Sequence, residues 1–137
     1  NNYKFTQSLF CTFDFDGKKS WAYSVDLKNL ESEVLNNKVQ VSNSKEGVLV
    51  AFPKDETIFL KLIAKDKAPV DFVPLNIGSK NKEFVSDVTV DLFSWYKQTF
   101  LAFGYKTTRA TNSLGSREFF YLTKLTYENP ELNSKTF

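Results

Sequence analysis

Residues 5–27 read FTQSLFCTFDFDGKKSWAYSVDL, and this stretch decides the fold class. Apolar side chains occupy alternate positions on both sides of Asp16-Gly17. A period of two is typical of a strand with one buried face, and Asp-Gly is a preferred hairpin turn because glycine accepts a positive φ. The stretch therefore predicts an antiparallel hairpin. The odd-numbered residues are expected on its buried face: Phe5, Leu9, Cys11, Phe13, Phe15, Trp21, Tyr23, Val25 and Leu27.

The same alternation recurs along the rest of the chain. It predicts further strands at residues 39–41, 48–52, 57–65, 84–91, 105–110 and 119–125, followed by a polar, frayed tail from Asn129. Short antiparallel strands joined by turns at regular spacing are typical of sandwiches and barrels. We therefore expect one domain, residues 1–137, that is mainly β. Its predicted architecture is an antiparallel β-sandwich or barrel of about 7–8 strands with one amphipathic helix.

That helix is predicted over about 91–103, where the apolar period changes. One helical face would carry Leu92, Trp95, Tyr96, Thr99, Phe100 and Phe103. Asp91 is placed to cap its first turn and Gly104 to end it. A continued strand, which the aromatic content favours, is the competing interpretation. Residues 28–37 are compatible with a second, short helix that begins at Asn29 and ends at Asn37.

The composition excludes several classes of enzyme. The 137 residues include no histidine and a single cysteine, Cys11. Ser-His-Asp and Cys-His catalysis, histidine metal sites and thiolate zinc sites are therefore ruled out. The carboxylates of Asp14 and Asp16 could attract Ca²⁺, but Lys18 and Lys19 would repel it, so a hairpin turn is favoured. We expect a non-catalytic protein with no catalytic residue, no metal and no cofactor.

The charge pattern bears on the partners of the chain. The formal net charge is only +2, and basic and acidic residues are interleaved. Nucleic-acid binding, which needs a clustered basic face, is therefore not expected. No segment approaches the roughly 18 consecutive apolar residues of a membrane span. The absence of methionine fits a processed, exported protein, so an extracytoplasmic (secreted or periplasmic) location is expected.

Aromatic residues are the most informative group, because 14 Phe, 6 Tyr and 2 Trp make up 16% of the chain. Aromatic side chains fill cores, but they also stack on sugars and anchor protein interfaces. Neighbours in a strand point to opposite faces, so adjacent aromatic residues require either two covered faces or one exposed ring. The candidate binding residues are Trp21, Trp95, Tyr96, Phe120 and Tyr121.

These observations favour a binding module that presents aromatic and loop residues to a glycan or protein partner. Two alternatives stay open. A small β-barrel carrier of an apolar ligand would also explain the phenylalanines. A structural subunit of a larger assembly is the other alternative, and homo-oligomers are compatible with it.

The second alternative is suggested by a resemblance in the C-terminal half. The predicted order strand, helix, strand, turn, strand, with Tyr105-Lys106-Thr107 and residues 119–125, resembles part of the tube-forming proteins of phage tails and secretion systems. The resemblance covers about 45 residues. It implies a tube- or secretion-apparatus-like β protein, although a shared fold does not establish a shared function.

Overall fold

The computed structural model describes residues 2–65, 67–77, 84–109, 115–128 and 131–136. Within these residues the chain is mainly β and contains no helix. Its strands are β1 Tyr3–Phe13, β2 Lys19–Ser32, β3 Gln40–Asn43, β4 Val48–Lys54, β5 Thr57–Ile63, β6 Val70–Asp71, β7 Leu75–Asn76, β8 Phe84–Val88, β9 Asp91–Ser94, β10 Thr99–Arg109, β11 Ser116–Glu128 and β12 Glu131–Thr136.

The strands form three antiparallel sheets. The hairpin sheet contains β1 and β2. The central sheet has the order β3-β4-β5-β6, and β7 also pairs with β5. The outer sheet has the order β12-β11-β10-β8, and β9 also pairs with β10. The described residues contain more strands than the 7–8 expected. The excess consists of short strands of two to six residues.

The central sheet contributes to both hydrophobic clusters of the described residues. Leu49 and Ala51 of β4 belong to a cluster that includes Phe100, Tyr121 and Leu125 of the outer sheet. The alternate residues of β4 face the other way, and Val50 and Phe52 belong to a cluster shared with the hairpin sheet. A strand covered on both faces is expected to be an unbroken apolar run, which residues 48–52 are.

The predicted hairpin of β1 and β2 is confirmed. Gly17 has φ +77°, and its N–H donates to the Asp14 carbonyl at 3.0 Å. The Asp14 carboxylate accepts the N–H groups of Asp16 at 3.1 Å and Lys18 at 2.8 Å. Asp14 therefore closes the turn with its side chain.

The prediction for the buried face of β1 is right at Phe5, which packs against the core, and wrong beyond it. Phe5 pairs with Leu30 and Gln7 pairs with Asp26, so three residues of β2 stand opposite Thr6 alone. Such a bulge reverses the faces of all the residues that follow it. Beyond it Phe10 packs against the core, whereas Leu9, Cys11, Phe13 and Phe15 are exposed. Cys11 is therefore not the buried small hydrophobe that was expected.

The short helix predicted at 28–37 is replaced by this bulge and the end of β2. Lys28 and Asn29 have φ of 57° and 55°, a left-handed conformation that asparagine tolerates better than most residues. The Lys28 N–H donates to the Asp26 carboxylate at 2.7 Å. The bulge turns Leu30 back into the core.

The helix predicted at 91–103 is also wrong. The segment is a hairpin of β9 and β10, with a turn at residues 95–98, and Gly104 lies inside β10 rather than after a helix. Aromatic side chains spaced three and four residues apart also fit two strands that are joined by a tight turn. The β preference of aromatic residues favours the strands, and Ser94 of β9 is held by hydrogen bonds to Gln40 and Val41 of β3.

The tail is partly ordered, contrary to the expectation of fraying. Residues 131–136 form β12, which pairs with β11 over the whole of its length. Residues 129, 130 and 137 lie outside the described residues.

Gly104 of β10 is required because it lies next to the backbone that connects β8 and β9. A Cβ on Gly104 would lie 2.0 Å from the Thr89 carbonyl oxygen. Thr89 is held there because its N–H donates to the Tyr105 carbonyl at 2.9 Å, and its Oγ1 accepts the Tyr105 N–H at 2.9 Å. A glycine inside a strand often marks such a close approach of backbones.

Gly104→Ala is therefore expected to destabilise the fold by about 3 kcal/mol, the upper end for an overpacked core, because backbone must move. Gly115→Ala is the matched control, since nothing lies within 4 Å of its added Cβ. We expect the control to change the free energy of unfolding by less than about 0.5 kcal/mol. Urea unfolding measures both, and equal stabilities of the two variants would contradict this account of β8 and β9.

Candidate binding surface

Apolar side chains cover the side of the outer sheet that faces away from the core. In cross-strand pairs they are Phe93 with Leu101, Phe103 with Leu122, and Tyr105 with Phe120. These six residues, which we call the aromatic face, alternate along their strands with the buried residues Leu92, Phe100, Ala102 and Tyr121. The alternation places the aromatic face opposite the core.

The rings of the aromatic face contact one another. The Phe120 ring centroid lies 5.6 Å from that of Tyr105, edge to face, and 6.4 Å from that of Phe103. Aromatic pairs prefer such tilted geometries at these distances. The rings therefore support each other in place.

Trp95 and Tyr96 stand beside this face, in the turn between β9 and β10. Their rings lie 5.5 Å apart, edge to face. The Nζ of Lys124 lies 5.9 Å from the Trp95 ring centroid, and the Nζ of Lys97 lies 5.4 Å from that of Tyr96. Lysine ammonium groups at such distances attract the ring face and favour one orientation of the ring.

Hydrogen bonds from neighbouring elements fix the backbone of this turn. The Trp95 N–H donates to the Thr99 carbonyl at 3.0 Å. The Tyr127 N–H of β11 donates to the Gln98 carbonyl at 2.9 Å. The Ser42 hydroxyl of β3 donates to the carbonyl of Lys97, which has φ of 50°. The turn is therefore tied to both the central and the outer sheet.

A second set of contacts holds the strand that enters the turn. The Ser94 N–H donates to the Gln40 side-chain oxygen at 3.0 Å. The Ser94 hydroxyl donates to the Val41 carbonyl at 2.8 Å. β9 and β3 are thus joined just before Trp95.

A groove next to Tyr96 has a cationic lining. It encloses about 620 Å³, and its walls include Lys45, Lys97 and Lys124. Asn43 and Gln98 add amide groups. The groove and the aromatic face meet at the Trp95–Tyr96 turn, so this part of the surface offers apolar, hydrogen-bonding and positively charged groups side by side.

The five predicted binding residues do not form one site. Trp95, Tyr96 and Phe120 are exposed at or beside the aromatic face. Tyr121 lies in the core, where its hydroxyl donates to the Thr89 carbonyl at 2.7 Å. Trp21 is half-buried against the cluster of the hairpin sheet.

Phe93 and the three lysines of the groove were not predicted. The helix predicted over 91–103 did not place Phe93 on an exposed sheet face. The sequence signal for that face was the two-residue spacing of Phe93 from Trp95, together with the alternation at Leu101, Phe103 and Tyr105. The lysines come from three separate parts of the chain, and no local pattern brings them together.

Two further properties bear on the expected chemistry. No group of three or more acidic or cysteine side chains among the described residues is placed to hold a metal ion. No helix in the described part of the chain is long and apolar enough to cross a membrane.

Comparisons of the chain with family models, with curated proteins and with solved structures found no match. The resemblance to tube-forming proteins therefore stays a prediction. The extracytoplasmic location, the absence of catalysis and the single domain stay predictions as well.

Two titratable groups of the outer sheet report on the burial beneath the aromatic face. Burial, and secondarily the Asp91 carboxylate, raise the pKa of Tyr121 to about 12. Burial lowers the pKa of Lys106, against an opposing effect of Glu56. The Lys106 ammonium lies 4.8 Å from the Tyr121 ring centroid and donates to the Ile77 carbonyl.

The raised pKa of Tyr121 predicts a loss of stability in alkaline solution. The folded state favours the neutral phenol, so this stability is fully present below the ordinary pKa of 10.0 and is lost as pH rises toward about 12. Burial also raises the pKa of Tyr127, so that residue adds to the loss. In urea unfolding across this range, Tyr121→Phe should show a shallower decline. A decline as steep as that of the unsubstituted protein would place Tyr121 in solvent.

Proposed function

We propose that the protein is a non-catalytic binding module whose aromatic face and Trp95–Tyr96 turn bind a protein partner. We further infer that the three sheets form a layered β-sandwich that acts as its scaffold. The observation that carries the proposal is a set of large rings on the open side of the outer sheet and in the adjoining turn, each between 51% and 56% exposed: Phe93, Trp95, Tyr96, Tyr105 and Phe120.

The exposed apolar area of these rings is comparable to the largest apolar patch on an ordinary monomer. Each aromatic side chain has a surface of about 150–250 Å². Because the five rings are about half exposed, together they present roughly 500 Å² of apolar surface to water. The largest apolar patch of an ordinary monomer is about 300–600 Å² and is often functional. Exposure of this area to water is unfavourable, and a partner that covers it gains the corresponding hydrophobic free energy.

The fixed turn favours binding for a second reason. Association loses affinity when loops must become ordered on contact, and a preformed site avoids that loss. The bonds from Ser42 and Tyr127 and the contacts of Ser94 hold the turn before any partner arrives. Trp95 and Tyr96 are therefore suited to be anchors at the centre of an interface, where tryptophan and tyrosine are enriched.

A protein partner fits this surface better than a glycan does. Sugars need several hydrogen-bonding groups beside the rings on which they stack, whereas the cross-strand neighbours on this face are mostly apolar and aromatic. Asp91 stands opposite Phe103 and Lys124 opposite Leu101, but aromatic rings outnumber these charges, and enrichment in aromatic side chains is typical of the core of a protein interface. The lysine-lined groove at the edge favours a partner with acidic residues, since complementary charge steers association.

The proposal predicts that Trp95→Ala and Phe120→Ala each strongly weaken partner binding and leave the fold intact, because both rings are exposed. Removal of an anchor residue typically weakens binding by about 2 kcal/mol or more, which is roughly 30-fold. The matched control is Phe15→Ala, since Phe15 is fully exposed in the turn between β1 and β2. The probe is a displayed library of random peptides, screened against the unsubstituted protein, with Kd measured for the enriched peptides.

We expect enriched peptides that combine apolar and acidic residues and that bind the Phe15→Ala variant with unchanged affinity. No enriched peptide, or peptides that bind Trp95→Ala and Phe120→Ala equally well, would contradict the proposal. A parallel glycan array tests the other partner class. Glycan binding that is lost in Trp95→Ala, with no peptide enriched, would replace the protein partner with a glycan.

A further inference from the structure

β1 has an edge with no neighbouring strand among the described residues. It belongs to a sheet of only two strands, so β2 satisfies one side of its eleven residues and the other side is open. No backbone hydrogen bond links residues 3–13 to a described element other than β2. Such an edge presents a row of N–H and C=O groups that can pair with another strand.

β1 has few of the features that usually protect an edge strand, and its single charged residue, Lys4, lies at its start. Residues 5–13 contain no charged residue, no proline and no glycine. β2 differs, because it carries Lys19, Asp26, Lys28 and Glu31 and is interrupted by the left-handed residues at 28–29. Charges and bulges at an edge discourage pairing, so the two edges of the hairpin sheet are not equivalent. The open edge of β1 is the one suited to accept a strand.

Side chains on the outward face of β1 support the same conclusion. Leu9 is 70% exposed and Phe13 is 63% exposed, and Cys11 between them is exposed as well. Each has a cross-strand neighbour on β2 only. A strand on the other side of β1 would give each a second neighbour at about 5 Å and would cover part of its apolar surface.

We propose that β1 pairs with β1 of a second copy of this chain, antiparallel and centred on Ser8, so that two hairpin sheets become one sheet of four strands. A second copy fits because Lys4, the one charged residue of β1, lies opposite Thr12 of the second copy in this register, so no like charges stand opposite each other. A two-fold axis also needs only one surface, repeated on each copy. Full overlap of Tyr3–Phe13 with itself places the axis at Ser8 and sets Gln7 opposite Leu9 of the second copy.

This pairing does not depend on the proposed function. β1 lies in the hairpin sheet, whereas the aromatic face lies on the outer sheet. The two hydrophobic clusters place the central sheet between them. A dimer joined at β1 therefore leaves both aromatic faces open to partners.

Cys11 provides a direct measure of the geometry, because it is exposed and is the single cysteine of the chain. Cys11 lies three residues beyond the axis, so the two Cα atoms are separated by six residues along the strands, about 20 Å at 3.3 Å per residue. Two copies joined through their aromatic faces would instead place the hairpin sheets about 50 Å apart, at roughly 10 Å per layer. Dipolar electron paramagnetic resonance between nitroxides on Cys11 separates the two distances.

Paired substitutions at exposed positions test the register. The double variant Gln7→Lys, Leu9→Lys sets two lysines opposite two lysines across the axis, and like charges directly opposite are destabilising. The double variant Gln7→Lys, Leu9→Glu is the matched control, because it sets lysine opposite glutamate at the same positions. Light scattering on a sizing column measures the mass of each, and circular dichroism checks that each keeps its β signal.

We expect the unsubstituted protein and the lysine–glutamate variant to have twice the 15.8 kDa mass of the chain, and the double-lysine variant to have the single mass. The nitroxide distance should lie near 20 Å plus the reach of the labels. A monomeric unsubstituted protein, a dimeric double-lysine variant or a distance near 50 Å would each overturn the proposal. If the double-lysine variant loses its β signal, the nitroxide distance in the unsubstituted protein decides whether β1 pairs as proposed.

A monomeric double-lysine variant also separates this inference from the proposed function. Because the aromatic face is untouched, it should still bind the enriched peptides with unchanged affinity. Loss of dimerisation with retained peptide binding supports both the pairing of β1 and the proposed function. Peptide binding by a protein that is monomeric without substitution would overturn the pairing of β1 and leave the proposed function intact.

Discussion

Burial of both faces of β4 is the constraint on which the rest of the structure depends. Residues 48–52 contain no polar side chain, so every face of this strand must be covered. Leu49 and Ala51 are covered with the help of the outer sheet, and Val50 and Phe52 with the help of the hairpin sheet. β5 also contributes to both clusters, with Ile58 and Leu60 in one and Ile63 in the other, and its Phe59 stacks on Phe52 with ring centroids 5.3 Å apart.

This arrangement leaves the two flanking sheets with one covered face each. The outer sheet uses its open face for aromatic side chains, next to a turn tied to β3 by Ser42 and Ser94. The hairpin sheet has Leu9 and Phe13 on its open face and an open edge along β1 that carries no charge over residues 5–13. The burial of large apolar groups in the middle of the chain thus coexists with two exposed apolar regions, and we infer that different partners cover them.

Local alternation predicted the β class, the first hairpin and most strand positions, because a period of two depends only on neighbouring residues. It failed where residues distant in the sequence determine the local structure. The face of β1 is set by a bulge at Lys28 and Asn29, which nothing within β1 reveals. The segment 91–103 has spacings that fit a helix as well as two strands, and the contacts of Ser94 with β3 favour the hairpin. For the binding surface, sequence identified Trp95 as a candidate, but the lysines beside it meet only through the fold.

Hydrogen exchange followed by mass spectrometry tests the central claim most directly. If β4 is covered on both faces, the hydrogen-bonded amides of β4 and β5 open only with global unfolding and exchange most slowly of all described segments. Amides of the turn at 95–98 that face solvent should exchange early. Exchange of the hydrogen-bonded amides of β4 and β5 as fast as that of residues 3–13 in the double-lysine variant would contradict the account, because β4 would then have a face open to water.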